Sequence, residues 1–175
     1  MVTEKGAAER VAVSSQDIGA LVLRVAAGAV LAIHGTQHLF GWFDGPSLDR
    51  YTRLVDSLGY QPARLMATVG GISEIAGGLL LILGLLTPLG VAAAVGVTAN
   101  AVISFHPAQE DGFWLSFGDF PLLLGLSAVA VAFIGPGLLS LDRSRTWVRG
   151  APRWALSGIG LGVIVAVVAL VFKLV

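Results

Sequence analysis

The sequence predicts an all-α membrane protein, built from a four-helix transmembrane bundle and a fifth, C-terminal transmembrane helix. Of its 175 residues, 55% are hydrophobic and only 13% are charged, and the mean hydropathy is +0.84. A soluble domain needs more polar surface than this composition supplies. A run of about 20 apolar residues spans a hydrocarbon core of roughly 30 Å, and the chain contains five runs near that length.

Each of these runs predicts one membrane helix. The third and fourth runs are short, and we extend the fourth toward the rings of Phe113, Trp114 and Phe117, because aromatic side chains favour the membrane–water boundary. This divides the chain into an N-terminal tail (1–17), a four-helix core (18–143), and a linker with the fifth helix (144–175). The predicted helices span residues 18–40, 66–86, 89–105, 120–134 and 154–175.

An additional amphipathic helix is predicted between the first two membrane helices, over residues 47–59. Its apolar residues recur at helical spacing, and charged residues occupy the opposite face. Such a segment is typical of a helix that lies in the membrane interface, and Gly59 and Pro62 end it. The apolar residues are Leu48, Tyr51, Leu54, Val55 and Leu58.

The distribution of lysine and arginine predicts the orientation. If the chain crosses the membrane five times, the side that holds the N-terminus carries more of these residues than the other side. By the positive-inside rule, we expect a multi-pass protein of the bacterial plasma membrane with its N-terminus in the cytoplasm and its C-terminus outside. The N-terminal side would hold Lys5, Arg10, Arg143, Arg145, Arg149 and Arg153, and the other side Arg50, Arg53, Arg64 and Lys173.

Ionisable residues inside the apolar runs indicate where a site lies. Glu74 is the only charged residue of the second run, and a charge at the bilayer centre costs on the order of 2.5–3.5 kcal/mol unless a neighbouring group compensates it. His34 and His38 are four residues apart, so they share one face of the first helix. We therefore predict that this histidine face meets the face of Glu74, so that an imidazole of the first helix compensates the acid, and that His34 and Glu74 are catalytic. The predicted ligand-binding residues are Arg24, Gln37, His38, Asn100 and His106.

Each of these residues also has a structural interpretation. The glycines that flank Glu74 are typical of a helix-packing seam, Glu74 could make a structural hydrogen bond, and Arg24 could serve packing or extend to the interface. A metal ion held by His34, His38 and either Glu74 or His106 stays an alternative, although we predict no metal site. Hydrolysis is disfavoured, because Gly35 stands where a zinc protease needs a glutamate. The glycines are Gly70, Gly71, Gly77 and Gly78.

The chemistry that these residues suit is hydrogen bonding and proton exchange with a small ligand. A quinone needs an apolar slot with hydrogen-bonding groups for its oxygens, and a histidine beside a carboxylate supplies both a hydrogen bond and a proton. The same residues would serve a proton-coupled transporter of small solutes. The chain has no cysteine, which excludes thiol chemistry and cysteine-ligated iron–sulfur clusters within it. A formal charge of zero and the lack of a nucleic-acid motif argue against a nucleic-acid partner.

Several motifs resemble the DoxX family of small bacterial membrane proteins. They include Arg24, the segment from His34 to Gly41, and the segment from Glu74 to Leu80. Further similar segments are 84–87, His106 ahead of 112–113, 119–124 and 135–142, so that the resemblance extends over residues 19–143 and leaves out the fifth helix.

This resemblance implies a four-helix core in the plasma membrane and a link to quinone-dependent oxidation of reduced sulfur and to redox-stress complexes. It also implies partners, either other subunits of a membrane complex or further copies of the chain, besides the lipid bilayer. Many relatives carry lysine where His38 stands, which argues against a metal. Our first hypothesis is a membrane subunit of a redox system that binds quinone or another small ligand. The alternatives are a non-catalytic anchor or scaffold for an oxidoreductase complex and a proton-coupled transporter.

Overall fold

The computed structural model describes residues 12–105, 119–145 and 151–174, and within these ranges the chain is helical. The described residues form six α-helices and a short 3-10 turn at Trp42–Asp44. The predicted fold class is confirmed. The helices are α1 (Ser15–Phe40), α2 (Ser47–Ser57), α3 (Ala63–Leu83), α4 (Thr87–Phe105), α5 (Asp119–Ile134) and α6 (Ala151–Leu174).

The helix ends follow from local sequence. Ser14 and Asp17 form a capping box at the start of α1, because each side chain accepts from the backbone N–H of the other. Gly41 and Gly84 end α1 and α3 in the left-handed conformation that glycine adopts without strain. The predicted membrane helices therefore match α1, α3, α4, α5 and α6 to within about three residues at each described end.

Length and composition agree with a membrane location. Among the described residues, four helical segments are long and apolar enough to cross a bilayer, and the apolar stretch Phe120–Ile134 is shorter. The predicted extension of α5 toward Phe113 lies outside the described residues. The outward faces of the apolar helices carry many exposed Leu, Val, Ile and Phe side chains, as expected where lipid surrounds a bundle. The four segments are Ser15–Phe40, Ala63–Leu83, Thr87–Ser104 and Pro152–Lys173.

Glycines allow α1 and α3 to pack closely in antiparallel directions. A Cβ atom on Gly35 would lie 2.7 Å from the carbonyl oxygen of Gly71, and one on Gly28 would lie 2.6 Å from that of Gly78. Both distances are too short for a side chain, so the two backbones are in direct contact. The glycines flanking Glu74 thus serve as a packing seam, as one of the interpretations of the sequence held.

Helix α4 lies at the centre of the bundle, packed against α3, α5 and α6. Its contact with α6 is also close, since a Cβ on Gly162 would lie 2.8 Å from the carbonyl oxygen of Ala92. The hydrophobic core is formed by α1, α3, α4 and α5, and a smaller cluster joins α2 to the start of α3. The main core contains Leu31, Leu81, Val91, Ala94, Val95, Ala128 and Val131.

Candidate functional site

A cavity of about 410 Å³ lies inside the bundle, and all six helices contribute to its walls. Most of the lining side chains are apolar, with polar groups at a few positions. This combination is typical of a site for a small, largely apolar molecule. The polar lining residues are His34, His38, Tyr51, Tyr60, Ser73, Glu74, Thr98, Asn100 and Ser104.

Glu74 and His38 form a hydrogen-bonded pair in the wall of this cavity. The distance between His38 Nδ1 and Glu74 Oε2 is 2.7 Å, and the Glu74 side chain is only 6% exposed. A carboxylate this deeply buried needs such a partner, because hydrocarbon cannot solvate its charge. The residue that compensates Glu74 is therefore His38. The face of the first helix that carries the two histidines thus meets Glu74 as predicted, through His38 rather than His34.

The direction in which side chains lean explains this pairing. Cα–Cβ bonds tilt toward the N-terminus of their helix, and α1 and α3 run in opposite directions. Their glycine contacts place the backbone of His38 about four residues nearer the start of α3 than Glu74. The side chain of His38 is therefore directed toward the level of Glu74, and that of Glu74 toward the level of His38. The side chain of His34 is directed away from the level that the Glu74 carboxylate occupies.

His34 lines the same cavity but is held differently. Its Nδ1 lies 3.0 Å from the carbonyl oxygen of Val30, and since a carbonyl oxygen only accepts, the ring must carry a proton on Nδ1. The imidazole stacks on Phe120, with 5.3 Å between ring centroids, and lies edge-on to His38 at 6.1 Å. In both histidines Nδ1 is engaged, and Nε2 makes no hydrogen bond to the described part of the chain.

Tyr51 covers the histidine–glutamate pair from α2. Its ring is parallel to that of His38, with 3.8 Å between centroids, and a Cβ on Gly70 would lie 3.3 Å from its hydroxyl oxygen. Burial raises the pKa of Tyr51 above its ordinary value, and the negative charge of Glu74 raises it further. The hydroxyl thus stays protonated at neutral pH.

A second polar group lies on the part of the wall formed by α4. The hydroxyl of Tyr60 is 3.1 Å from Asn100 Oδ1 and 2.7 Å from Ser104 Oγ. Asn100 also donates from Nδ2 to the carbonyl oxygens of Gly96 and, on α6, Ala166. We refer to Tyr60, Asn100 and Ser104 as the tyrosine cluster.

Three predicted site residues are not among the cavity-lining residues of the described chain. Gln37 packs at the turn between α1 and α2, where a Cβ on Gly45 would overlap its side chain. Arg24 lies near the other end of α1. His106 is outside the described residues. The cavity thus brings together His34, His38, Glu74 and Asn100.

Arg24 belongs to a buried charged cluster at the opposite end of the bundle. It is fully buried and donates from Nη2 to the carbonyl oxygen of Leu139 at 2.7 Å. Asp142, also fully buried, accepts from the backbone N–H groups of Leu86 and Thr87 and from the Thr87 hydroxyl. Here the start of α1, the turn between α3 and α4, and the segment after α5 come together. We refer to this end of the bundle as the closed end.

Within the described residues, no three side chains of the histidine, aspartate and glutamate types are grouped so that they could hold a metal ion. The polar groups of the cavity instead suit hydrogen bonding and proton transfer. A histidine bonded to a carboxylate is a proton donor and acceptor in one unit.

The sequence interpretation did not identify Tyr51, Tyr60 and Asp142 as functional or structural centres. Tyr51 was placed on the apolar face of the amphipathic helix, where a ring and a hydroxyl together signal a partly polar contact. Tyr60 directly follows the glycine that ends this helix. Asp142 was noticed only as part of a motif, and an acid next to an apolar run is also a common surface feature.

The family model described as DoxX matches residues 19–107, about half of the chain. No curated protein and no solved structure matches it. The matched residues include most of α1 and all of α2 to α4, and with them His34, His38, Glu74 and the tyrosine cluster. The segment with Asp142, and also α5 and α6, lies beyond the matched range.

Proposed function

Because the chain belongs to the DoxX family, we propose that this multi-pass membrane protein is the membrane subunit of a redox system and binds a quinone-like ligand in its cavity. The supporting observation is the His38–Glu74 pair, which is buried in the wall of a cavity of about 410 Å³. An apolar ligand with a polar head matches a cavity that is apolar over most of its surface.

The His38–Glu74 pair can hold one proton or two. With one proton, Glu74 is ionised, His38 donates from Nδ1, and its Nε2 is an acceptor in the neutral ring. When Nε2 takes up a second proton, the proton of Nδ1 passes to Glu74 along the 2.7 Å hydrogen bond, so that Glu74 donates to Nδ1 and His38 presents an Nε2–H donor. Uptake of one proton from the ligand thus changes Nε2 from acceptor to donor, which is what binding both hydroquinone and quinone requires.

Aromatic rings supply the walls for a flat head group. Phe120 stacks on His34, and Tyr51 stacks on His38, so planar surfaces flank both imidazoles. Stacked or edge-on rings favour another aromatic ring between or beside them. In this proposal His38 and Glu74 exchange the proton, and His34 and Asn100 contribute to ligand binding. Arg24 and Gln37 support the helix packing.

The electrons require a second protein. A hydroquinone that becomes a quinone releases two protons and two electrons, and the chain has no cysteine for a thiol or cluster of its own. We propose that a redox-active partner subunit exchanges the two electrons with the bound ligand, while the His38–Glu74 pair receives or supplies one proton and Nε2 of His34, in the same cavity, receives or supplies the other. The orientation in the bacterial plasma membrane, with the N-terminus in the cytoplasm, is part of the same proposal.

Replacing Glu74 by glutamine tests this function. The substitution keeps the size and most hydrogen bonds of the side chain but removes the transferable proton. We expect purified wild-type protein to bind a decyl-substituted benzoquinone, and Glu74→Gln to bind it at least about tenfold more weakly while folding normally. Titration calorimetry in detergent measures the affinity, and mass spectrometry identifies a copurified quinone.

The matched control is Asp49→Asn, which makes the same chemical change in the exposed ion pair with Arg64. It should leave ligand affinity unchanged. If neither protein binds a quinone, the proposal is wrong. If Glu74→Gln matches the wild type in binding and assembly, a scaffold role is favoured. A transported solute found by mass spectrometry in place of quinone would favour the transporter.

A further inference from the structure

The tyrosine cluster has a fixed direction of hydrogen bonding. Both hydrogens of the Asn100 amide are directed at backbone carbonyl oxygens, at 2.9 Å on Gly96 and 3.4 Å on Ala166. Oδ1 of Asn100 is therefore an acceptor for the hydroxyl of Tyr60, 3.1 Å away. Tyr60 has one hydrogen, so Ser104 must donate to Tyr60 across their 2.7 Å contact. The cluster thus ends in the lone pairs of the Ser104 oxygen.

Thr98 and His34, which also line the cavity, each donate a hydrogen bond to a backbone carbonyl oxygen. Thr98 donates its hydroxyl to the carbonyl oxygen of Ala94 at 2.7 Å. His34 carries its proton on Nδ1, toward Val30, so Nε2 of the neutral ring accepts. Together with Ser104, these groups present acceptors to the cavity. Among the described lining residues, the hydroxyls without such a commitment are those of Tyr51 and Ser73.

Three of the apolar lining residues have a large exposed surface. Val69, Phe120 and Val165 are each about half exposed. Since they lie on the apolar helices α3, α5 and α6, the surface that they share with the cavity faces the lipid. A molecule dissolved in the bilayer can therefore reach the cavity without crossing a water-filled passage.

From these observations we propose that the tyrosine cluster is a hydroxyl-recognition subsite, in which the oxygen of Ser104 accepts a hydrogen bond from an O–H group of an apolar, lipid-dissolved alcohol or phenol. This inference rests on the proposed function, because it assigns the reduced, hydroxyl-bearing form of a quinone-like ligand as the form that the cavity binds more tightly. Tyr60 is a positioning residue, since it takes the hydrogen of Ser104 and leaves the lone pairs available.

A set of three matched ligands tests the subsite in the full-length protein. The ligands are a decyl-substituted benzohydroquinone, its dimethyl ether and the corresponding benzoquinone, with the hydroquinone kept reduced under anaerobic conditions. We expect the hydroquinone to bind about five- to tenfold more tightly than the dimethyl ether, because methylation removes the donated hydrogen. Ser104→Ala should remove this preference and leave the affinity for the ether unchanged.

Two variants keep the test decisive. Tyr60→Phe keeps the ring, and we expect it to reduce the preference for hydroquinone, because Ser104 then turns its hydrogen elsewhere. Ser127→Ala is the control, because it removes a serine hydroxyl of α5 that donates to the carbonyl oxygen of Leu123 and does not line the cavity. It should keep the full preference.

The outcomes separate this inference from the proposed function. If hydroquinone and ether bind equally well to the wild type, the subsite is wrong, while quinone binding still supports the proposed function. If Ser104→Ala is folded and keeps the preference, the subsite is again wrong. If none of the three ligands binds, both the function and the subsite are overturned.

Discussion

The two ends of the helical bundle both contain buried charged residues, but they treat them in opposite ways. At the closed end, Asp142 accepts from backbone N–H groups and a threonine hydroxyl and forms an ion pair with Arg145 at 3.5 Å, and Arg24 donates to a backbone carbonyl. At the cavity end, Glu74 forms a hydrogen bond with a histidine side chain, His38. Backbone and guanidinium groups cannot exchange protons near neutral pH, so the closed end has a structural role, whereas the cavity end retains the means to exchange protons.

The comparison shows that burial of a charge does not by itself identify a functional site. Arg24 and Asp142 are both 0% exposed, and Glu74 is 5% exposed. What differs is the identity of the partners and the position of Glu74 in the wall of the cavity of about 410 Å³. Ionisable residues inside a membrane are functional candidates in general. The groups to which they are hydrogen-bonded distinguish those with a structural role from those that can exchange protons.

Removing Asp142 should have the largest effect. Asp142→Ala leaves the N–H groups of Leu86 and Thr87 without their acceptor and isolates the buried Arg24, so we expect a loss of about 3–5 kcal/mol in the free energy of unfolding. Thermal unfolding in detergent measures the loss. The control Asp49→Ala removes an exposed ion pair and should cost less than about 1 kcal/mol. If Asp142→Ala and Asp49→Ala lower the free energy of unfolding equally, the buried contacts of Asp142 do not stabilise the fold more than an exposed ion pair does.

A pair of glycine substitutions compares the two ends directly. A methyl group on Gly84 would overlap the guanidinium of Arg24, and the backbone there is left-handed, with φ of +58°. Gly84→Ala should therefore cost about 1–2 kcal/mol from the backbone and about 1–3 kcal/mol from overpacking.

At the cavity end, Gly70→Ala places its methyl group 3.3 Å from the hydroxyl of Tyr51, which can move slightly. We expect thermal stability within about 0.5 kcal/mol of the wild type, with weaker ligand binding as Tyr51 shifts on His38. Thermal unfolding and calorimetry distinguish the two results. If Gly70→Ala destabilises as much as Gly84→Ala, the cavity end is packed as tightly as the closed end.

The effect that is smallest at neutral pH concerns Tyr51, because it develops only in alkaline solution. Its pKa is raised by burial and by Glu74, so the unfolded chain releases the phenolic proton near the ordinary value of about 10 while the folded protein retains it. The stability contribution is complete below that pH and is lost as the pH rises above it, by about 1.4 kcal/mol per pH unit. Unfolding midpoints between pH 8 and 11 should fall less steeply in Tyr51→Phe. The variant Tyr60→Phe should retain the slope due to Tyr51, and identical slopes in Tyr51→Phe and wild type would contradict the assignment.

Much of the fold could be predicted from the sequence, because membrane helices correspond to long runs of apolar residues. The amphipathic helix α2 was also predictable, from its spacing of Leu54, Val55 and Leu58. Glu74 could be singled out because a lone charge in such a run needs a partner. These features depend on local composition and periodicity, which the sequence displays directly.

The partner of Glu74 could not be predicted by counting depth along each helix. That count places His34 closer to the level of Glu74 than His38, but it ignores the opposite tilt of side chains on antiparallel helices. The role of Arg24 also depended on contacts across the fold, because Leu139 lies 115 residues further along the chain. Such pairings arise from packing, for which the sequence carries no local signal.

Helix α6 lies beyond the range that the family model matches, yet it is part of the chamber. Val165 and Ala169 line the cavity, and the carbonyl oxygen of Ala166 holds the amide of Asn100. A shortened chain that stops before α6 would lose one wall of the cavity and the hydrogen bond from Asn100 to Ala166. The width of the ligand that fits the cavity, and the orientation of the Asn100 amide that accepts from Tyr60, are thus set by an appended helix that contributes only apolar side chains to the cavity wall.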